Sequence, residues 1–476
     1  MPSPGRQLIS WRLAVLVAVG VALLAVSPIV SAVALGACVI AALIGPGYAL
    51  QALMIGTLIT YANPAIVKLA PVAGALLRVV LVVAMLRVLP LMRASHLRLL
   101  WPIWLLGALS ALTSYSTSPA LSISIMKVIT FTLAASVVVI AYGRLTAERQ
   151  LRMQTWMLTI GLTVIALSAL TLVRPGIALG GDRGLQGLLG QPQALGIFIA
   201  PFAAWSITGV LLMRRQVGRL ELWVAIATAL LIILTRARTG AFAVIFAIGV
   251  VFISRLVSRR RAQQASLGRP VLILSLSACV LLFAALATGQ VGKFVTDFAF
   301  KDTEKGQRNV YGAYYASRGG GVISEWNNFL ASPWLGNGFG VYPDGKFPSG
   351  VVEFAGIPIS APIEKGFLPT AILEEGGLIG ASSLALLIIW LGRSAWRSHD
   401  LRWRALFVAC IGVNVGECVF LSPGGIGLII WLLMGAAIWA YRAEALSPTS
   451  AALRMSRAAT ASDAPLRPLT LPHPAP

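Results

Sequence analysis

Charged residues are scarce in this chain. Only 11% of its 476 residues are Asp, Glu, Lys or Arg, whereas a soluble chain carries roughly a quarter. Hydrophobic residues make up 58%, and they recur in runs of about 20 separated by Arg-rich turns. We therefore predict an all-α, polytopic integral membrane protein with about 12–14 transmembrane helices.

Residues that carry common enzyme chemistry are also few. There are four cysteines in apolar stretches with no CxxC pair, so a disulfide or metal role is not expected. No Walker A, GxGxxG, HExxH or Asp-x-Asp sequence occurs, and we expect neither a cofactor nor a metal. The three histidines, His96, His399 and His473, fall in basic connectors or the tail. An active site at the opposite ends of the spans would have no histidine base.

Positive charge is plentiful but unevenly placed. The net charge is +22, yet most Lys and Arg lie in short connectors between spans, where they set cytoplasmic orientation. Because no RNP, zinc-knuckle or basic-helix pattern accompanies them, no nucleic-acid partner is expected. We predict cytoplasmic N- and C-termini, with an uncleaved first helix.

One long polar stretch interrupts the apolar spans. Residues 1–180 read as N-terminal transmembrane helices, and residues 181–445 as a second membrane domain that includes an outer loop over 290–365. The loop carries ISEWNNFLASPWLGNGFGVYP, and IEKGFLPTAILEEGGLIG returns the chain to the membrane. Residues 446–476, rich in Ala, Ser, Thr and Pro, are predicted to be a disordered cytoplasmic tail.

A few arginines fall on the outer side against the positive-inside pattern. An arginine near the bilayer centre costs about 2.5–3.5 kcal/mol, and misplaced arginines tend to mark function. We interpret Arg236 and Arg238, in the short turn TRARTG, as an anion site. Thr239-Gly240 favours a break in the helix there, which would let both guanidinium groups reach one phosphate. The full outer set is Arg174, Arg183, Arg236, Arg238, Arg308 and Arg318.

Glu364 is the main candidate for a proton acceptor. It lies where the chain returns to the membrane, and partial desolvation there would raise its pKa and suit it to proton abstraction. The alternative is an ion pair with Lys365 that closes a helix start. Glu374 and Glu375, farther into the same helix, raise the same question, and at least one is expected to face a polar cavity.

Three stretches together resemble the O-antigen ligase and Wzy-type polysaccharide polymerase superfamily of bacterial envelope enzymes. They are DRGLQGLLGQPQALG (182–196), LTRARTGAFAV (234–244), and the outer loop followed by FLPTAILEEGGLIG. Gln193 stands where the family has Asn. The resemblance covers about residues 182–440, whereas the N-terminal third matches only as a run of spans.

The resemblance implies a membrane glycosyltransferase in the bacterial inner membrane, with its site on the periplasmic face. The donor would be a glycan on undecaprenyl diphosphate, for exopolysaccharide or O-antigen synthesis without a metal. The family's diphosphate-handling arginines correspond to Arg183, Arg238 and Arg318, with Arg236 adjacent. Ligases of the family have a His-Asn pair where this chain has Glu364-Lys365, which favours a polymerase or an exopolysaccharide branch. Other polysaccharide-assembly proteins are a further candidate partner.

If the chain is such a glycosyltransferase, we expect catalytic roles for Glu364, Arg318 and Arg238. Substrate binding is expected of Arg183, Arg236, Lys365, Trp326 and Trp334. The two tryptophans either stack on sugar rings or belong to an interfacial belt. A transporter or flippase of lipid-linked glycans is the alternative function, and a non-catalytic scaffold of an envelope assembly is another. Nearly charge-free spans favour the enzyme.

Overall fold

The computed structural model describes residues 10–179, 184–213, 218–261, 319–345, 351–354, 357–360 and 365–444. These residues are almost entirely helical, as predicted. Short helical turns at Pro175–Ala178 and Ala440–Glu444 accompany the longer helices. The longer ones are α1 Trp11–Leu24, α2 Pro28–Ile44, α3 Pro46–Thr60, α4 Ala73–Val88, α5 Ala94–Thr117, α6 Leu121–Arg144, α7 Ala147–Leu170, α8 Pro192–Leu212, α9 Arg219–Leu234, α10 Arg238–Arg261, α11 Gly320–Ala331, α12 Leu368–Ala395, α13 Leu401–Gly412 and α14 Ile426–Ile438.

Within the described residues, seven helices are long and apolar enough to cross a membrane. They correspond to α4, α5, α6, α7, α8, α10 and α12. The shorter apolar helices α1, α2 and α14 add to this set. The helices indicate a multi-pass membrane protein, and the apolar stretch over 271–287 lies outside the described residues.

The outer loop contributes one small sheet as well as helix α11. Strand β1 (Val352–Phe354) pairs antiparallel with β2 (Ile357–Ser360). This hairpin is an addition to the all-helical prediction.

Local sequence explains many of the helix boundaries. The Ser27 hydroxyl accepts from the N–H of Ile29, and Pro28 occupies the first position of α2, where its missing N–H costs nothing. The Asp400 carboxylate caps α13 through the N–H of Arg402. Gly45 and Pro46 end α2 and start α3 in consecutive residues, so the crowded N-terminal spans are separate helices.

Helices α8 and α14 form the centre of the bundle. In α8, 83% of the most apolar 18-residue stretch is buried, and all residues of α14 are buried. The Trp431 side chain is fully enclosed and donates its indole N–H to the carbonyl oxygen of Phe420 at 2.8 Å. The core thus lies beside the loop that precedes α14.

The connectors separate into two ends of the bundle. One, the basic end, brings together the connectors near residues 89–93, 144–146 and 396–400 with the described positions Met213 and Gly218, and Arg442 there donates to the Gly143 carbonyl at 3.2 Å. The other, the loop end, collects residues 61–72, 118–120, 184–191, 235–237, 332–345 and 413–425. Which side of a membrane each end faces stays a prediction from the charge pattern.

Candidate functional site

The loop end is organised by a segment inserted into a broken helix. Helix α12 is interrupted at Gly377, whose φ is 59° and ψ −157°. On one side of the break, the carbonyl oxygens of Glu374 and Glu375 accept from the N–H groups of Asn337 and Gly338 at 2.7 and 3.0 Å. On the other side, the N–H of Leu378 donates to the Pro333 carbonyl at 2.8 Å. The segment 333–338 therefore takes up backbone groups that the break releases, as an apolar setting demands.

Glycines make this insertion possible. Gly336 has a φ of 70°, and a Cβ built on it would lie 2.5 Å from the carbonyl carbon of Glu375. Gly377 also has a positive φ, and its Cβ would overlap the backbone of Trp334. Only glycine permits both the left-handed backbone and this separation of two main chains. Gly336 of PWLGNG and Gly377 of LEEGG are thus explained by one backbone-to-backbone contact.

Lys365 is held by the carboxylates of Glu374 and Glu375, the two residues whose carbonyl oxygens bind the inserted segment. Its Nζ lies 2.7 Å from Glu374 Oε2 and 3.0 Å from Glu375 Oε1, and all three side chains are at most 5% exposed. Burial alone would lower the pKa of Lys365, but Glu375 and Glu374 outweigh burial and hold the pKa above its ordinary value. Asn328 completes the cluster by donating to Glu374 Oε1 at 2.7 Å. The expectation that at least one of Glu374 and Glu375 faces a polar cavity agrees with Glu375, which lines the cavity described next.

A second lysine approaches this cluster from α6. Lys127 Nζ donates to the Gly340 carbonyl at 2.6 Å. Lys127, Lys365 and Glu375 line one small cavity, which Phe339, Gly340, Cys418, Leu421 and Ser422 complete. Two lysines and a glutamate thus line one cavity between α6, α12 and the chain that precedes α14. Sequence reasoning missed Lys127, because a single lysine near the start of an apolar run reads as part of the span.

Glu325 is a third buried carboxylate of the loop end. It is 7% exposed on the inner side of α11, and the Thr370 hydroxyl donates to its Oε2. Burial raises the pKa of Glu325 above its ordinary value, while the Thr370 hydrogen bond and the Lys365 charge act in the opposite direction. The Glu325–Thr370 contact joins α11 to the first turn of α12.

The Arg236 and Arg238 turn connects to the same region through the chain before α14. A Cβ on Gly416 would overlap the Thr239 hydroxyl, so these two residues are in direct contact. Two residues farther on, the N–H of Cys418 donates to the Lys365 carbonyl at 3.1 Å. The chain segment Gly416–Cys418 therefore links Thr239, next to Arg238, to the main chain of the buried Lys365.

The predicted break at Thr239-Gly240 is wrong. Helix α10 begins at Arg238 and includes both residues. The turn comes earlier, at Arg236, which has a φ of 52°. Gly240 serves a different purpose, since its Cβ would lie 2.8 Å from the Gly196 carbonyl oxygen. Its lack of a side chain brings α10 against α8.

The three motif stretches meet at the loop end. The N–H of Leu185 donates to the Leu234 carbonyl at 2.8 Å, which ties the segment that begins at Gly184 to the arginine turn. Arg236 and Arg238 are partly exposed there. Arg183, Arg318 and Glu364 lie outside the described residues, so their predicted roles stay predictions.

The two predicted tryptophans lie on the outside of the loop end. Trp326 is 45% exposed and contacts Phe329 with a ring-centroid separation of 5.2 Å. Trp334 is 67% exposed beside the helix break. Neither lines the cavity of Lys127, Lys365 and Glu375. Lys365 does line it, but its two short ion pairs indicate a structural anchor more than a mobile substrate ligand.

Comparison with models of known protein families and with curated protein sequences finds no match to this chain.

Proposed function

We propose that the protein is a glycosyltransferase of the polysaccharide polymerase or O-antigen ligase type. It would act on glycans linked to undecaprenyl diphosphate at the periplasmic surface of the bacterial inner membrane. The observation that carries the proposal lies at the loop end. Thr239, which directly follows Arg238, contacts Gly416, and two residues farther on the N–H of Cys418 donates to the Lys365 carbonyl at 3.1 Å. A loop end that carries both arginines and a buried carboxylate cluster suits a substrate that has both a lipid anchor and a diphosphate.

The proposed reaction is a displacement at the anomeric carbon of the donor sugar. An acceptor hydroxyl oxygen forms a bond to that carbon, and the bond from the carbon to the diphosphate oxygen breaks. The diphosphate leaves with the electron pair, and arginines stabilise its developing charge. The hydroxyl proton passes to a carboxylate, for which Glu364 is the candidate.

The buried cluster contributes to this proposal as a scaffold. Lys365 directly follows Glu364 in the chain, and its side chain is fixed by Glu374 and Glu375 at 2.7 and 3.0 Å. The main chain of Lys365 is fixed as well, by the N–H of Cys418. These contacts support a positioning role for Lys365 in place of direct substrate binding.

Substitution of Arg238 tests the proposal. We expect Arg238→Ala to abolish glycan transfer in membranes, because one charge-assisted fork to the diphosphate is lost. Arg152→Ala is the matched control, since Arg152 is 70% exposed in a surface pair with Glu148. Both variants should accumulate in the membrane like the parent. Unchanged product from Arg238→Ala would remove the arginine turn from the site.

A transporter or flippase of the same glycans is the second candidate. Lys127, Glu374 and Glu375 are ionisable groups inside spans, and such groups also mark transport pathways. The two functions differ in product, because a flippase moves the lipid-linked glycan across the bilayer without changing its length. Translocation by purified protein in vesicles, with no longer or transferred glycan, would favour the transporter.

A further inference from the structure

Helix α11 has three distinct sides. Its buried side carries Glu325 and Phe329. A second, exposed side carries Ile323, Trp326 and Leu330, which are 41%, 45% and 58% exposed. Because these residues are spaced i, i+3 and i+7, they form one stripe along the helix.

The third side of α11 is polar. Ser324 and Asn327 are both exposed, and at 100° per residue they lie next to the apolar stripe on the side away from Trp326. The helix therefore presents an apolar surface and a polar surface side by side, and neither carries a charged residue. A helix with water on all its free sides is expected to be polar on each of them, so this separation indicates two different surroundings.

The apolar stripe continues onto a membrane-spanning helix. The chain leaving α11 reaches Pro333, whose carbonyl accepts from the N–H of Leu378 in α12 at 2.8 Å. Leu378 is 40% exposed and Trp334 is 67% exposed. The stripe, Trp334 and Leu378 thus make up an exposed apolar surface that begins on α11 and reaches α12 at Leu378.

We propose that α11 is an interfacial helix that seats this surface in the lipid bilayer. Its stripe would lie at the boundary between headgroups and acyl chains, with Ser324 and Asn327 toward water. Tryptophan is enriched at that level, where an apolar ring and one N–H donor are both accommodated. The partner is therefore a phospholipid surface.

Sugar stacking is the competing role for Trp326. A sugar ring needs polar groups beside the aromatic face to satisfy its hydroxyls. The neighbours of Trp326 along the stripe are Ile323 and Leu330, which offer none. The geometry therefore assigns Trp326 to the lipid contact, and this inference is independent of the proposed glycan transfer.

Nitroxide scanning in vesicles of phosphatidylethanolamine and phosphatidylglycerol tests the inference. Single cysteines replace Ile323, Leu330, Ser324 or Asn327 in a full-length chain whose four native cysteines are removed. Labels at 323 and 330 should collide several-fold more with oxygen than with a water-soluble nickel chelate. Labels at 324 and 327 should show the reverse.

Two results would overturn the inference. Nickel-dominated collisions at all four positions would place α11 in water, and low collision with both reagents at 323 and 330 would mean that protein covers the stripe. Lipids brominated near the headgroup provide a check on the native chain. They should quench the parent more than Trp326→Phe, and equal fractional quenching would contradict the lipid contact.

Discussion

Removing the positive charge of Lys365 should strongly destabilise the protein. Lys365→Met leaves two adjacent buried carboxylates, which in the parent lie 2.7 and 3.0 Å from Nζ. Loss of one partner from a buried pair costs about 3–5 kcal/mol, because a charge is left uncompensated. The hydrogen bond from Asn328 to Glu374, and the positive charge of Lys127 on the cavity that Glu375 also lines, limit the loss to about that range.

The pH dependence of this loss has a definite sign. In the parent, the raised pKa of Lys365 contributes stability that is complete below its ordinary value and is lost only as the pH rises above it. Between pH 5 and 8 the parent should therefore be insensitive to this group. Over that range the deficit of Lys365→Met should therefore not change through titration of Lys365 itself.

Unfolding in mixed micelles by added SDS measures the free energy for each variant. Lys68→Met is the control, since Lys68 is exposed and only reaches the Val26 carbonyl at 3.3 Å. The combined variant Lys365→Met/Glu374→Gln/Glu375→Gln should recover most of the loss, because none of the three substituted positions then carries a buried charge. Equal stability of Lys365→Met and Lys68→Met, or no recovery in the combined variant, would refute the reasoning.

Three further changes test the backbone and the remaining buried carboxylate. Gly377→Ala should lower the free energy of unfolding and displace the inserted segment. Its control, Gly321→Ala, places a methyl group in open space on α11 and should be neutral or stabilising by up to about 1 kcal/mol. Equal effects of the two substitutions in SDS titration would argue against the insertion. Arg236→Gly should be more stable than Arg236→Ala by about 1–3 kcal/mol because its φ of 52° strains any other residue, and equal stability would mean that the turn is relaxed. Glu325→Gln should be stabilising at pH 8 and neutral at low pH. The raised pKa of Glu325 gives the parent stability that is present below the ordinary pKa of a glutamate and is lost as the pH rises through the pKa of Glu325 in the folded protein. A difference in stability that does not depend on pH would contradict this.

The succession of helices could be predicted from the sequence because apolar runs and Gly-Pro breaks report directly on it. Helix α3, which begins at the Gly45-Pro46 break, has 15 residues. The Gly- and Pro-rich stretch between Arg174 and α8 contains only the four-residue helix Pro175–Ala178 in its described part.

The partners of Lys365 could not be predicted in the same way. Glu364 is adjacent in sequence and was weighed as its partner, but it lies outside the described residues, and the partners that the structure shows are Glu374 and Glu375. That choice depends on the return angle of the chain into α12, which no local pattern encodes. The interruption of α12 at Gly377 was missed for a related reason. A Gly-Gly pair inside an apolar run is compatible with a helix, and only the distant PWLGNG segment supplies the hydrogen bonds that make the break stable.

The most direct test of the account is purified protein in nanodiscs supplied with a glycan repeat unit on undecaprenyl diphosphate, with a chelator present. The account predicts new glycosidic bonds and release of undecaprenyl diphosphate, both lost in Arg238→Ala and retained in Arg152→Ala. Longer glycans on the carrier would identify a polymerase, and transfer to another acceptor would identify a ligase. An unchanged lipid-linked substrate with properly folded protein would contradict the proposed function.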